Sequence, residues 1–201
     1  MRKLFLVVWF FIYSLCFAES DTDSVDLKKL VEKEIGGEIL AFLPNEKEPF
    51  TGKAIVTHDN GKKKDLFNYK NGKIDGFLTS WYDNGQKKSE VNWKDGKNDG
   101  SVTHWYLNGL KKEESNWKEG KANGQVIGWH ENGQKKQIAN YKNGKQDGLL
   151  TNWHENGQKK LEANFKDGKP EGLVIEWGKN GKEVLRQSYQ KGFLTHEYKS
   201  P

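Results

Sequence analysis

The chain has 201 residues, of which only 34% are hydrophobic while 30% are charged and 22 are glycine. That aliphatic content excludes a conventional two-layer core, and 12% aromatic residues, with eight tryptophans, exclude a disordered chain. The formal net charge of +5 falls to +3 once Arg2 and Lys3 are set aside, too balanced to imply a nucleic-acid partner.

Residues 1–18 read as an export signal: "MRK" is a short positive start, and "LFLVVWFFIYSLCFA" is an apolar run that ends at Ala18 before the polar "ESDTDS". The run is short for a membrane span, which needs about 20 residues. Cleavage after Ala18 predicts an exported protein, periplasmic or secreted. Lipidation at Cys16 is the alternative, although "YSLC" lacks the small residue usual before a lipoprotein cysteine. Cys16 is the only cysteine, so the chain after Ala18 forms no disulfide of its own.

Residues 19–51 read as an N-terminal cap. In "VDLKKLVEKEI" (residues 25–35) Leu27, Leu30 and Val31 fall on one helical face, with Asp23 or Ser24 as N-cap, which predicts a short helix. "EILAFLPNEKEPFTG" follows as a lone strand and a lengthened return turn.

From Gly52 a period of 24 takes over. Gly52, Gly76, Gly100, Gly124, Gly148 and Gly172 form one set. Gly61, Gly85, Gly109, Gly133, Gly157 and Gly181 form a second, each preceded by Asn. The third comprises Gly72, Gly96, Gly120, Gly144, Gly168 and Gly192. A fixed step of this length marks a repeat architecture. Between the glycines lie two runs of about seven residues, such as "FLTSWY" and "KKSEVNW", rich in Trp, Tyr, Thr and Val, which read as strands. Asn-Gly is a strong hairpin signal because both residues tolerate positive φ. The second junction, as in "KDGKNDG", supplies the return turn. The predicted fold is all-β: an elongated antiparallel meander of six 24-residue hairpins over 52–192, preceded by the short helix. At about 4.8 Å per strand its twelve strands extend roughly 60 Å. Residues 193–201 add a capping strand, "FLTHEY", with Glu197 and Lys199 discouraging further pairing.

The repeated G-x-x-x-x-W-Y-x-N-G-x-K-K-x-E-x-x-W-K-x-G-K-x-x-G resembles the MORN-repeat variant of bacterial proteins, including the YwqK-type antitoxin family, over about residues 50–192. The resemblance implies stacked hairpins, non-enzymatic protein binding and neutralisation of a toxin partner. MORN repeats are also associated with membrane lipids, which keeps a lipid-facing role open.

If the Asn-Gly loop holds three residues, as with a glycine bulge, Trp81 and Trp93 share one face. Trp105 and Trp117, Trp129 and Tyr141, and Trp153 and Phe165 follow suit, with Thr79 or Ile127 and Val91 or Ala139 in the same stripe. A two-residue loop would send them to opposite faces; the three-residue loop is favoured because it collects the large apolar groups into one stripe. The column Trp81, Trp105, Trp129, Trp153 and Trp177, with Tyr82, Tyr106, His130 and His154 beside it, is the candidate partner-binding surface. It reads either as a stacking platform for a protein, lipid or glycan, or as the sheet's own core. Lys87 and Lys88 point to opposite faces, and acidic residues are interspersed, so the lysines read as solvated hairpin ends. Equivalent histidines such as His130 and His154 lie about 9.6 Å apart, too far to share zinc. Glu90 and Glu114 stand equally apart on an open sheet with nothing to split their pKa values. No nucleophile or phosphate-loop motif occurs. The sequence thus predicts a monomeric binding protein without catalytic residues, metal or cofactor, whose partner is another protein, such as a toxin, or envelope lipid or glycan.

Overall fold

The computed structural model describes residues 23–198. The expected export signal over residues 1–18, with Cys16, and Lys199 beyond the last strand lie outside the described residues. One 16-stranded sheet dominates, and from Gly52–Thr57 to Phe193–Tyr198 its strands neighbour one another in chain order. Six antiparallel hairpins build the meander; the second, for instance, joins Gly76–Trp81 to Lys87–Lys94. Two of the return strands begin with a short separate piece, Lys73–Ile74 and Lys145–Gln146.

Two kinds of turn alternate at the two rims. At one rim Tyr82 N–H donates to the Gln86 carbonyl (2.8 Å) and Gly85 N–H to the Tyr82 carbonyl (2.9 Å), enclosing the three-residue loop 83–85. Only the glycine of this loop has positive φ, +92° at Gly85. At the other rim Lys94 pairs with Lys97 around a two-residue turn in which both residues are left-handed, Asp95 at +48° and Gly96 at +75°. That is the hairpin turn whose twist matches the strands. The three-residue Asn-Gly loop is therefore present, but the paired positive φ belongs to the other junction.

The shared-face expectation is overturned by one further residue. Trp81 pairs with Lys87 but Ser80 pairs with Ser89, so Lys88 is an extra residue, a bulge just past the loop. The same shift follows the other five Asn-Gly loops. A one-residue slip exchanges the faces. Beyond it Leu78 pairs with Val91 and Gly76 with Trp93. Trp93 thus shares a face with Leu78, while Trp81 lies on the opposite face with Phe77 and Thr79. The aromatic residues form two rows, one on each side. Trp117, Tyr141, Phe165 and Tyr189 join Trp93's row, each directly across from a glycine whose bare backbone the ring can cover. Small residues fill the sheet between the rings: Ala54, Ala139, Ala163 and Ser115 are buried on that side, Thr79 and Thr151 on the other.

The helix expected over residues 25–35 is not formed. Ser24–Asp26 is a strand paired in parallel with Gly52–Thr57, Leu27–Lys29 is one 3-10 turn, and Val31–Ile35 pairs with Glu38–Phe42 as a separate hairpin. The reason is the Gly36-Gly37 turn, both residues left-handed at +61° and +82°, which closes a hairpin that an isolated short helix cannot match in stability. "EILAF" is accordingly one arm of this hairpin and no lone strand. Its end docks on the first return turn: Ala41 N–H donates to the Gly72 carbonyl (2.9 Å), Phe50 N–H to Ala41 (2.8 Å) and Gly72 N–H to Phe50 (2.8 Å). Phe42, 1% exposed, anchors the assembly. At the far end Phe193–Tyr198 closes the meander as an exposed strand.

Candidate functional surface

Repeat spacing along the sheet places equivalent side chains in files that run across the strands. Trp81, Trp105, Trp129, Trp153 and Trp177 form one such file, and all five are half-exposed. Their neighbours Tyr82, Tyr106, His130 and His154 have a different employment. The Tyr82 hydroxyl donates to the Trp105 carbonyl (2.8 Å) and Tyr106 to Trp129 (2.7 Å). Nε2 of His58, His130 and His154 donates to the carbonyls of Trp81, Trp153 and Trp177 at 2.8–3.0 Å. Burial first, then the carboxylates of Glu131 and Glu155, raise the Tyr106 pKa and keep its hydroxyl a donor. These four candidate residues tie each repeat to the next through its tryptophan's backbone. Removing the donor in Tyr106→Phe is expected to cost about 0.5–1.5 kcal/mol, read as faster amide exchange around Trp129.

The Asn of each Asn-Gly pair makes a parallel file. Asn132 Oδ1 accepts from Gln134 N–H (3.0 Å) inside its own loop while Nδ2 donates to the Glu155 carbonyl (2.9 Å) in the next. Asn60, Asn108 and Asn156 do the same towards Asp83, Glu131 and Lys179, whereas Asn84 Nδ2 turns to Gln86 Oε1 (3.3 Å) in its own loop. An amide side chain is required because it both accepts and donates, and glycine because φ is positive. The opposite rim is laced too: Gly96 N–H donates to Ile74, Gly120 to Asn98 and Gly144 to Ala122, at 2.8–2.9 Å.

The lysines are not merely solvated ends. Nζ of Lys63, Lys87, Lys111 and Lys159 stands 5.4–5.8 Å from the ring centres of Trp81, Trp105, Trp129 and Trp177. Such cation–π contacts contribute about 0.5–1 kcal/mol where exposed. Lys87 also pairs with Glu90 at 2.7 Å. Residues three apart on a regular strand point to opposite faces, and the extra residue at Lys88 is what brings these two together. Lys88 itself stands over Tyr82, 5.8 Å from its ring centre. Sequence spacing did not disclose this pairing, since the bulge that creates it has no glycine or proline to mark it.

The opposite face carries a shallow groove of about 520 Å³ between Trp117 and Tyr141, bordered by Glu113, Gln137 and Val126. Ser115 forms part of it and accepts a hydrogen bond from the Trp117 indole (3.0 Å). Among the described residues, no three His, Cys, Asp or Glu side chains gather to hold a metal.

Three segments, residues 75–95, 122–143 and 146–167, match the family model described as MORN repeat variant. Each takes in one Asn-Gly loop and the two strands it joins. No curated protein matches the chain.

Proposed function

We propose that this array of MORN-variant hairpins is an exported, non-enzymatic binding protein that holds a protein partner along its file of five tryptophans. The supporting observation is that Trp81, Trp105, Trp129, Trp153 and Trp177 lie half-exposed on one sheet face over which, among the described residues, no second layer is packed. Large rigid aromatic side chains in such a setting contribute most of the energy in protein interfaces. The neighbouring Tyr and His residues, committed to the adjacent repeat, hold the indoles at fixed spacing. Within this class the resemblance to YwqK-type proteins points to an antitoxin or immunity role, with a toxin as the partner.

The test is partner capture by immobilised protein and by its Trp105→Ala/Trp153→Ala variant. Capture is expected to weaken at least tenfold while far-ultraviolet dichroism stays that of a sheet. Undiminished affinity in a variant that is merely less stable would sink the proposal. Co-expression with the product of an adjacent toxin-like reading frame tests the immunity role, with rescue of growth expected.

A second reading, binding to envelope lipid or glycan, draws on the lysines that stand over four of the five indoles, since ammonium and indole together suit an anionic surface. Sedimentation with purified envelope fractions separates the two. A protein-specific binder stays in the supernatant.

A further inference from the structure

We infer that Trp153, Ile138 and Lys135 form the anchor point of the tryptophan face, and that this point takes a protein segment carrying a carboxylate beside an apolar side chain. The inference rests on the proposed function and locates its centre.

The argument comes from a pattern and its interruption. In three repeats the lysine leaving the Asn-Gly loop pairs with a glutamate three residues on: Lys87 with Glu90 (2.7 Å), Lys111 with Glu114 (2.9 Å), and Lys159 with Glu162. The sixth repeat keeps the pair with its charges exchanged, Glu183 with Arg186 at 2.6 Å. The hydrogen bond between them lowers the carboxyl pKa and raises that of the guanidinium. In the fourth repeat Ile138 occupies the glutamate position. Lys135 has no ion pair and no ring contact among the described residues, and Trp153 is the one indole of the five without a lysine over it. Losing the glutamate alone does not uncover a ring: the first repeat has Leu66 at that position, yet Lys63 stands over Trp81 at 5.8 Å. Only the fourth repeat lacks both contacts.

The surroundings change in the same place. Thr79 faces Glu90, Thr103 faces Glu114 and Thr151 faces Glu162 across their hairpins, but Ile127 faces Ile138, as Ile55 faces Leu66 in the first repeat, where the ring stays covered. The face therefore turns apolar where an ammonium loses its counter-charge. A partner carboxylate supplies in trans what Glu90, Glu114 and Glu162 supply within the chain. An adjoining apolar side chain covers Trp153 and the isoleucine pair. An exposed ion pair contributes little affinity, so the apolar contact holds the segment and the charge selects it. A neutral glycan offers no such anion.

Ile138→Glu is the decisive variant, because it installs the pair that three sibling repeats already tolerate and so should not disturb folding. A random twelve-residue peptide display library is panned on the wild-type protein, and enriched peptides are titrated by fluorescence anisotropy. Enriched sequences are expected to place Asp or Glu beside an aromatic or aliphatic residue. Their affinity should fall at least tenfold with Ile138→Glu or Trp153→Ala and change less than twofold with Trp105→Ala. Failure to enrich such sequences, or undiminished binding to Ile138→Glu, overturns the inference. Peptides lost with Trp105→Ala but retained by Ile138→Glu would overturn it while leaving the tryptophan face as the binding surface.

Discussion

Phe42→Ala is expected to destabilise the N-terminal end of the sheet by about 3–5 kcal/mol, the range for removing a large buried aromatic side chain. Phe42 is the largest side chain with less than 2% exposure, and the other buried hydrophobic residues are mostly alanines. It belongs to the hairpin Val31–Ile35 and Glu38–Phe42, which touches the main sheet chiefly where Ala41, Phe50 and Gly72 exchange backbone hydrogen bonds. Without the ring that junction loses its apolar filling, and Lys33, whose ammonium lies 4.4 Å from the ring centre, loses its partner. A repeat array transmits such damage only to its neighbours. Native-state hydrogen exchange should therefore show protection lost in Val31–Ile35, Glu38–Phe42 and Gly52–Thr57 and kept in Lys121–Trp129 and beyond. Uniform loss along the whole sheet would contradict nearest-neighbour behaviour.

Gly72→Ala should be the costliest of the equivalent turn-glycine substitutions, and Gly120→Ala provides its control. Both residues sit at the same turn position with nearly the same φ, +78° and +77°. A methyl group at Gly120 meets nothing within 4 Å, so its cost is the left-handed strain alone, about 1–2 kcal/mol. At Gly72 it would lie 2.9 Å from Leu40 Cβ, 3.0 Å from Pro49 Cβ and 3.1 Å from the Ala41 nitrogen. These atoms are backbone or fixed directly to it and have little room to give, which adds about 1–3 kcal/mol of crowding. Urea unfolding followed by exchange mass spectrometry should show the N-terminal hairpin detaching in Gly72→Ala and remaining docked in Gly120→Ala. Equal effects at the two sites would mean that the hairpin packs less closely than the distances indicate.

The repeat and its turns could be read from residues, because Gly at positive φ and an Asn that both accepts and donates leave a chemical mark every 24 positions. The face assignment could not. The bulge at Lys88 is an extra residue of ordinary type, one lysine following another, and it is set by where the ladder of Ser80 and Ser89 resumes. Its consequence is large, since it moves Trp93 and Trp117 to the side opposite Trp81 and Trp105. The helix expected over residues 25–35 failed for a different reason. Leu27, Leu30 and Val31 do fit a helical face, but Gly36-Gly37 is the stronger signal, because two left-handed residues in succession close a hairpin. In the candidate surface the indoles were legible as a file. The tie from Tyr106 to the Trp129 carbonyl was not, because it depends on how far one repeat is offset from the next.

The rungs along both rims have a consequence for inheritance. Tyr82 reaches Trp105, Asn132 reaches Glu155 and Gly96 reaches Ile74, so these bonds join one unit to the adjacent one and pass over none. Unequal recombination between tandem copies of the coding segment can therefore delete or duplicate a whole unit and still leave each surviving rung with a partner of the same kind. A frame shifted by a single codon would break them together. Descendants of such a gene can differ in reach by steps of one hairpin while keeping the same two ends.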